Sequence, residues 1–200
     1  MREINDVIQG APEWQQLRCG IPTASNFDKI VTSKGDASKQ AKKYMYQLVA
    51  ERITGAKEES YSNAHMERGV ELEGQARDMY SLITGNEVRQ VGFCMQDKGL
   101  YGCSADGLIG DDGGIEIKCP ASHTHVEYLL GGKLPTTYVQ QVQGSLFVTG
   151  RAYWDFVSFY PGMKLFRIRV ERDEFFIKQL EIALNEFCDE LETLTEKLKG

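Results

Sequence analysis

The segment 104–118 constrains the fold more than any other part of the sequence. Glu116 and Lys118 stand two positions apart in an otherwise apolar stretch, and residues with this spacing on a β-strand project from the same face. The acidic and glycine residues at 111–114 have the turn chemistry of a hairpin. Such a hairpin brings the preceding strand back alongside and places Asp106 close to Glu116. The sequence therefore predicts two carboxylates and an ammonium group gathered on neighbouring strands.

Two neighbouring carboxylates repel each other unless a cation lies between them. Carboxylate oxygens are hard ligands that select Mg²⁺ or Mn²⁺, with positions left for water and a substrate phosphate. Lys118 could then hold and polarise a metal-activated water beside a phosphorus atom. The alternative is a surface hairpin whose charged residues form cross-strand ion pairs. The pattern by itself leaves both interpretations open.

A further carboxylate lies on the helix predicted from Asn63 to Thr84, which Gly85 ends. Glu73 falls on the apolar face of this helix, where a carboxylate is costly unless a cation or hydrogen-bond donors meet it. An ion pair with a core-facing arginine and a metal site both meet that requirement. The predicted face consists of Met66, Gly69, Glu73, Ala76, Tyr80 and Ile83.

The rest of the chain alternates between helical and strand patterns. Helices are predicted within 13–20, from a Thr23 cap to Val31, and at 38–54, 135–149 and 173–199, the last with an apolar stripe from Phe176 to Leu198. Strands are predicted at 87–95, 100–105, 108–109, 114–118, 151–160 and 164–172. This order predicts an α/β fold with a mixed central β-sheet flanked by helices. Without a linker or repeat, residues 1–200 are expected to form a single domain.

Charge is unevenly distributed along the 200 residues, whose formal net charge is −6. Residues 14–57 contain eight basic and three acidic side chains, whereas residues 171–200 contain nine acidic and four basic ones. This segregation suggests a basic face that attracts polyanions and an acidic back. Two ordinarily solvated helical faces would give the same counts.

The five cysteines are scattered and form no CxxC pair, which is typical of reduced thiols rather than of a disulfide framework. No apolar run approaches the roughly 18 residues that cross a bilayer, and the first residues do not have the pattern of a signal peptide. We therefore expect a soluble, cytoplasmic protein with no membrane partner.

An aspartate followed ten residues later by Glu-x-Lys, as in Asp106, Glu116 and Lys118, is similar to the PD-(D/E)xK nuclease signature. Other short motifs occur in the order found in the phage lambda exonuclease family, the YqaJ-type alkaline exonucleases of that superfamily. Over most of its length the chain resembles this family. The matching motifs lie at 14–18, 20–25, 68–73, 103–108, 114–120, 130–132, 138–143 and 170–173.

The resemblance implies a restriction-endonuclease-like PD-(D/E)xK core and a role for each matching residue. Asp106 and Glu116 match the metal-binding acids, and Lys118 matches the catalytic lysine. Glu73 matches an upstream helical glutamate at the metal site. The backbone carbonyl of Ile117 would complete the metal shell.

The resemblance also implies a pocket for the 5′-terminal phosphate of DNA. Arg18, Ser25 and Ser104 match residues of that pocket, and a planar guanidinium can pair bidentately with phosphate oxygens. Gln141 matches a glutamine of the active-site cleft, and Tyr138 lies one turn before it. For Ser25, Ser104 and Tyr138, capping or packing is the alternative.

A member of the family carries a basic loop with an arginine near the DNA end. Lys34 is the candidate for its contacts, although the stretch 32–39 differs from the family pattern and has no residue-by-residue match.

The activity implied by the family is a Mg²⁺-dependent 5′→3′ exonuclease, with one or two ions and Mn²⁺ as a substitute. It would act on linear double-stranded DNA, release 5′-mononucleotides and leave a 3′ overhang. The implied partners are DNA ends, two further copies in a ring-shaped homotrimer, and a single-strand annealing recombinase. A phage or prophage gene expressed in a bacterial cell is the implied source.

Three alternatives to that activity remain. One is a restriction-like endonuclease on the same core, and another is a non-catalytic DNA-end binding protein. The third is a zinc hydrolase that would use Cys119, His123 and His125, although a fourth ligand is missing.

Overall fold

The computed structural model describes residues 1–57 and 64–199. The helices in this part of the chain are α1 (Pro12–Leu17), α2 (Ala41–Thr54), α3 (Ala64–Thr84), α4 (Ser122–Gly131), α5 (Val139–Thr149) and α6 (Glu174–Leu198). The strands are β1 (Arg2–Ile4), β2 (Phe93–Met95), β3 (Gly102–Cys103), β4 (Gly107–Ile109), β5 (Gly113–Lys118), β6 (Tyr153–Ser158) and β7 (Phe166–Glu171). Short 3₁₀ helices occupy Ala24–Lys29 and Thr136–Tyr138. None of these helices has both the length and the apolar character needed to cross a bilayer.

The larger sheet has the strand order β4-β5-β6-β7. β4 and β5 form an antiparallel hairpin, β6 runs parallel to β5, and β7 returns antiparallel to β6. α4 and α5 lie in the crossover between the two parallel strands. A smaller antiparallel sheet has the order β1-β2-β3. The predicted α/β fold with a mixed sheet and flanking helices is confirmed.

The predicted hairpin at the edge of the larger sheet is also confirmed, with residues 110–112 between its strands. Gly113 and Gly114 begin β5 where β6 approaches very closely. A Cβ atom at these positions would collide with the rings of Tyr153 and Trp154, respectively. Glycine is therefore required here for the two strands to pair.

Arg151 binds the turn of this hairpin, at the end away from Asp106 and Glu116. Its NH1 group donates hydrogen bonds to the carbonyls of Gly110 and Gly113, both at 2.8 Å. Its NH2 group lies 3.6 Å from Glu3 Oε1 on β1, and Glu3 also pairs with Arg89 at 2.7 Å. The N-terminal strand is thus connected to the hairpin turn through one buried guanidinium.

Hydrophobic side chains pack on both faces of the larger sheet. On one face, α5 packs on β6, and α6 and α2 pack outside it in a core cluster that includes Trp154 and Phe156. On the other face, α3 covers β5 and β6, in a cluster that includes Leu72, Ala76, Tyr80, Ile115, Ile117 and Val157. The ends of β5 therefore lie between two helical layers.

The apolar stripes are predicted correctly over most of their length. In α6 the stripe is buried from Phe176 to Leu191, but Leu198 is exposed at the helix end. In α3 the prediction holds at Ala76 and Tyr80 and is wrong at Ile83, which is 59% exposed. The buried stripe of α3 recurs every fourth residue, so it passes from Tyr80 to the partly buried Thr84 and leaves Ile83 outside.

Several predicted boundaries differ from the structure. β1 and α4 were not predicted, the strand expected at 87–95 is reduced to Phe93–Met95, and α2 begins at Ala41. α4 was not predicted because its sequence has no continuous apolar face. Two of its apolar residues, Val126 and Leu130, are exposed in the structure. The predicted helix start at Asn63 and the side chain of Met66 lie outside the described residues.

The basic and acidic segments meet in the fold. α2 packs against α6, and Arg52 NH1 lies 2.7 Å from Glu192 Oε2. Their charges therefore neutralise each other in part along this contact.

Candidate active site

The hairpin brings the carboxylates of Asp106 and Glu116 together. The register pairs Gly107 with Ile115, and one step further it sets Asp106 opposite Glu116. Asp106 Oδ2 accepts a hydrogen bond from the backbone N–H of Ile117 at 2.6 Å. Because the N–H and C=O of one strand residue point to the same side, the Ile117 carbonyl faces the Asp106 side as well.

Lys118 and Gln141 both contact the Glu116 carboxylate. Lys118 Nζ lies 2.5 Å from Glu116 Oε1, and Gln141 Nε2 donates a hydrogen bond to the same oxygen at 2.6 Å. The Lys118 ammonium also lies 5.2 Å from the centroid of the Tyr138 ring. Glu116 is 1% exposed, so these contacts compensate a carboxylate that has lost nearly all its hydration.

The pKa values of this group are shifted mainly by burial and secondly by neighbouring charges. Burial raises the pKa of Glu116 to about 7 against the pull of Lys118, and the charge of Asp106 adds to the rise. Burial also raises the pKa of Asp106. Burial lowers the pKa of Lys118, but the Glu116 and Asp106 carboxylates outweigh it and leave that pKa above its ordinary value. Lys118 therefore offsets only part of the effect of burial on the two carboxylates.

Glu73 reaches the same group from α3. Its Oε1 forms an ion pair with Arg77 one helical turn later, at 2.5 Å. Burial and the charge of Asp106 raise the pKa of Glu73 to about 7. Glu73 thus has the arginine partner expected of an ion pair and also faces the acids expected of a metal site.

The donor set fits a hard divalent cation around Asp106 and Glu116. Glu116 Oε2 is buried and has no hydrogen-bond partner among the described residues. Among the side chains that the structure describes, however, no three of Asp, Glu, His or Cys converge to enclose one ion by themselves. Because Glu73 is turned toward Arg77, it would join the set by leaving that arginine or by acting through water.

A second group of predicted residues surrounds the guanidinium of Arg18. The guanidinium stacks 4.1 Å from the centroid of the Trp14 ring. Its NH2 group donates to Ser25 Oγ at 3.2 Å and lies 3.4 Å from Thr23 Oγ1. The Arg18 Nε is buried without a hydrogen-bond partner in the part of the chain described here. Burial lowers the pKa of Arg18, so an approaching anion would relieve the cost of that burial.

Ser104 lies beside this group. The segment ahead of Ser25 runs along β3, where Gly102 N donates to Pro22 O at 3.1 Å and Thr23 pairs with Gly102. Ser104 follows β3 directly, and its Oγ is buried with no partner among residues 1–57 and 64–199. The structure thus brings Arg18 and Ser25 into contact. It leaves the Arg18 Nε and the Ser104 Oγ without a hydrogen-bond partner among the described residues.

One expectation in this region does not match the geometry, and the role expected of Lys34 stays a prediction. Thr23 occupies the N-cap position of the 3₁₀ helix, but its side chain makes no capping bond and faces Arg18 instead. Lys34 is exposed in a loop that approaches α6 at Gly35 and Gln179. Among the described residues, no side-chain hydrogen bond or ion pair joins Lys34 to Arg18 or to the hairpin acids.

The zinc alternative is wrong for His125. Its Nδ1 lies 2.7 Å from Ser158 Oγ and its Nε2 lies 3.0 Å from the Lys164 carbonyl oxygen, so neither nitrogen is free to bind a metal.

Sequence reasoning missed Arg77 and the stacking of Arg18 on Trp14. The spacing of four residues between Glu73 and Arg77 was an available signal for the ion pair. Trp14 and Arg18 are also four residues apart, with Arg18 at the C-cap of α1, so the same spacing was an available signal for the stack.

The fold closely resembles solved exonuclease structures. The crystal structure of an alkaline exonuclease (LHK-Exo) from Laribacter hongkongensis matches with a TM-score of 0.86 and 38% identity, over 94% of this chain and 96% of that chain. LHK-Exo in complex with dAMP matches with a TM-score of 0.84 at the same identity and coverage. A phage related exonuclease from Haemophilus somnus 129PT shares the fold at 16% identity, with a TM-score of 0.68 over 89% and 96% of the two chains. The chain therefore has the fold of a PD-(D/E)xK-type nuclease.

Residues 13–152 match the model of the YqaJ-like viral recombinase domain. The chain belongs to this family, that of the YqaJ-type alkaline exonucleases, and is a nuclease of recombination. A search of curated proteins gave no match.

Proposed function

We propose that this protein is a Mg²⁺-dependent 5′→3′ exonuclease that degrades linear double-stranded DNA. It would release 5′-mononucleotides and leave a 3′ single-stranded overhang. The observation that carries the proposal is the grouping of Asp106 with the Glu116–Lys118 ion pair at the hairpin, in a fold shared, at 38% identity, with an alkaline exonuclease.

Asp106, Glu116 and the Ile117 carbonyl would hold the cation, with Glu73 as a further ligand. When bound, Mg²⁺ supplies positive charge to the scissile phosphate and lowers the pKa of a coordinated water; Mn²⁺ can replace it, and the site could take one ion or two. The unpaired Glu116 Oε2 supports this role because a buried carboxylate oxygen needs a partner.

The remaining side chains of the group would orient the reaction. Lys118 holds Glu116 in place and carries a positive charge that can stabilise the attacked phosphate. Gln141 fixes the rotamer of Glu116 through its 2.6 Å hydrogen bond, so the free oxygen keeps one direction. Tyr138 packs beneath the Lys118 ammonium and restricts its position.

The direction of digestion would come from the group around Arg18. A 5′-terminal phosphate offers acceptors to the Arg18 guanidinium and to the hydroxyls of Ser25 and Ser104; the Arg18–Ser25 hydrogen bond and the buried Ser104 hydroxyl support this role. The capture of dAMP by LHK-Exo is consistent with release of 5′-mononucleotides. Lys34 could contact the DNA backbone from its exposed loop.

The cellular context follows from the family. We expect a phage or prophage enzyme that acts in the bacterial cytoplasm, assembles as a ring-shaped homotrimer around DNA and supplies 3′ overhangs to a single-strand annealing recombinase.

One assay tests the activity. Linear duplex with 5′-phosphorylated ends and covalently closed circular duplex are incubated with Mg²⁺ or with EDTA. We expect mononucleotides from the linear duplex only, and only with Mg²⁺. Cutting of the closed circle would indicate a restriction-like endonuclease, and binding of ends without nucleotide release would indicate a non-catalytic DNA-end binding protein.

A further inference from the structure

His125 is a buried polar residue to which the proposed chemistry gives no role. It lies on α4 and is 0% exposed. Its Nε2 faces the Lys164 carbonyl oxygen, which can only accept a hydrogen bond, so Nε2 carries hydrogen. In the neutral ring Nδ1 then accepts a hydrogen bond from the Ser158 hydroxyl at 2.7 Å. Both nitrogens are engaged, and the ring has one allowed orientation.

The partners of His125 lie next to the proposed catalytic lysine. Ser158 is the last residue of β6 and is the register partner of Lys118 at the end of β5. The following residue, Phe159, donates its backbone N–H to the Lys118 carbonyl at 2.9 Å. The end of β6 that His125 holds is therefore the end to which the backbone of Lys118 is bonded.

The position of Lys118 needs such support. β5 ends at this residue, so the strand ladder does not continue beyond it. Its ammonium must nevertheless stay 2.5 Å from Glu116 Oε1 and 5.2 Å from the centre of the Tyr138 ring. A shift of the strand end by a fraction of an ångström would disturb both distances.

We propose that His125 is a positioning residue for Lys118. By bonding Ser158 and the Lys164 carbonyl together, it fixes the end of β6 and, through the Phe159–Lys118 hydrogen bond, the end of β5. This inference rests on the proposed role of Lys118 in cleavage.

The test measures cleavage and binding separately. For His125→Ala we expect a single-turnover cleavage rate with Mg²⁺ that is lower by about 10- to 100-fold, because small misplacements of a catalytic group have effects of this size. The affinity for 5′-phosphorylated duplex ends in EDTA should be unchanged. Ser158→Ala removes only a hydroxyl from the same link and should lower the rate similarly. The double variant should be no slower than His125→Ala if both act through one connection.

Two control variants separate positioning from general stability. His123→Ala changes an exposed histidine of the same helix and should cleave at the normal rate. Leu180→Ala creates a cavity where α6 packs on the hydrophobic core, so it should lower the melting temperature. Its cleavage rate should be normal when it is assayed well below that temperature.

The outcomes are distinct. Normal cleavage by His125→Ala or by Ser158→Ala overturns the inference, as does an equal loss in Leu180→Ala. If His125→Ala does not fold, Ser158→Ala alone decides. Lys118→Ala is assayed in parallel: normal cleavage by that variant overturns the role of the lysine in the proposed function, whereas its inactivity beside an active His125→Ala overturns only the positioning role.

Discussion

Replacement of Arg18 by alanine tests the proposed selection of the 5′ end. In the structure the guanidinium is held flat against Trp14, 4.1 Å from the ring centroid. Its hydrogen bonds to Ser25 and Thr23 are long, at 3.2 and 3.4 Å, and both acceptors are neutral hydroxyls. The Arg18 Nε has no partner among the described residues. Arg18 is therefore fixed in position yet has capacity left for an anion.

The size of the effect follows from the number of bonds that are available. A hydrogen bond to a charged group contributes about 1.5–3 kcal/mol. With one such bond to the terminal phosphate, loss of Arg18 lowers kcat/KM on 5′-phosphorylated ends by about 10- to 150-fold, because each 1.4 kcal/mol corresponds to roughly a factor of ten. On 5′-hydroxyl ends, which offer no phosphate, kcat/KM should not change.

The assay compares kcat/KM for two linear duplexes of one sequence that differ only in the 5′ group. Arg18→Lys keeps the charge but loses the planar fork, and it should retain an intermediate preference. Lys98→Ala removes a single exposed positive charge elsewhere and serves as the control. A full preference for phosphorylated ends in Arg18→Ala would refute the assignment of this pocket.

Three further perturbations follow from the geometry. Lys118→Ala should lose cleavage and keep DNA-end binding in a gel-shift assay with EDTA; unchanged turnover would exclude the lysine from the reaction. Glu73 and Glu116 bind protons more tightly in the folded state, with pKa values of about 7. Without metal, the free energy of unfolding should therefore fall as the pH rises from about 5 to about 7, and Mg²⁺ should raise the melting temperature more above this range than below it; equal shifts at both pH values would contradict this. Asp155→Ala removes a fully buried carboxylate that accepts a hydrogen bond from Tyr80 at 2.6 Å. It leaves the buried Tyr80 hydroxyl without its acceptor and should cost about 1–3 kcal/mol in urea unfolding, and a loss below about 0.5 kcal/mol would argue against a structural role.

The hairpin and its acids were predictable because they depend on local chemistry. Alternation along β5 puts Glu116 and Lys118 on one face, and the turn residues fix which strand segment lies opposite. This information resides within 15 residues of sequence, so Asp106 could be placed without knowledge of the rest of the fold.

Other contacts depend on elements that are distant in sequence. Whether Glu73 faces an arginine or a metal site could not be chosen from a helical pattern, and the structure shows it beside both Arg77 and Asp106. The link between His125 and Ser158 spans 33 residues and crosses from a helix that the pattern did not reveal. Resemblance to a family supplied the residues around Arg18, but it did not supply their geometry.

The guanidinium of Arg151 has a practical consequence for anyone who prepares this protein. It connects the hairpin turn to Glu3, so the first strand takes part in holding the segment that carries Asp106 and Glu116. An affinity tag fused before β1, or removal of the leading residues, would disturb the Glu3–Arg151 contact and with it the turn of that hairpin. Recombinant material should therefore carry its purification tag after α6.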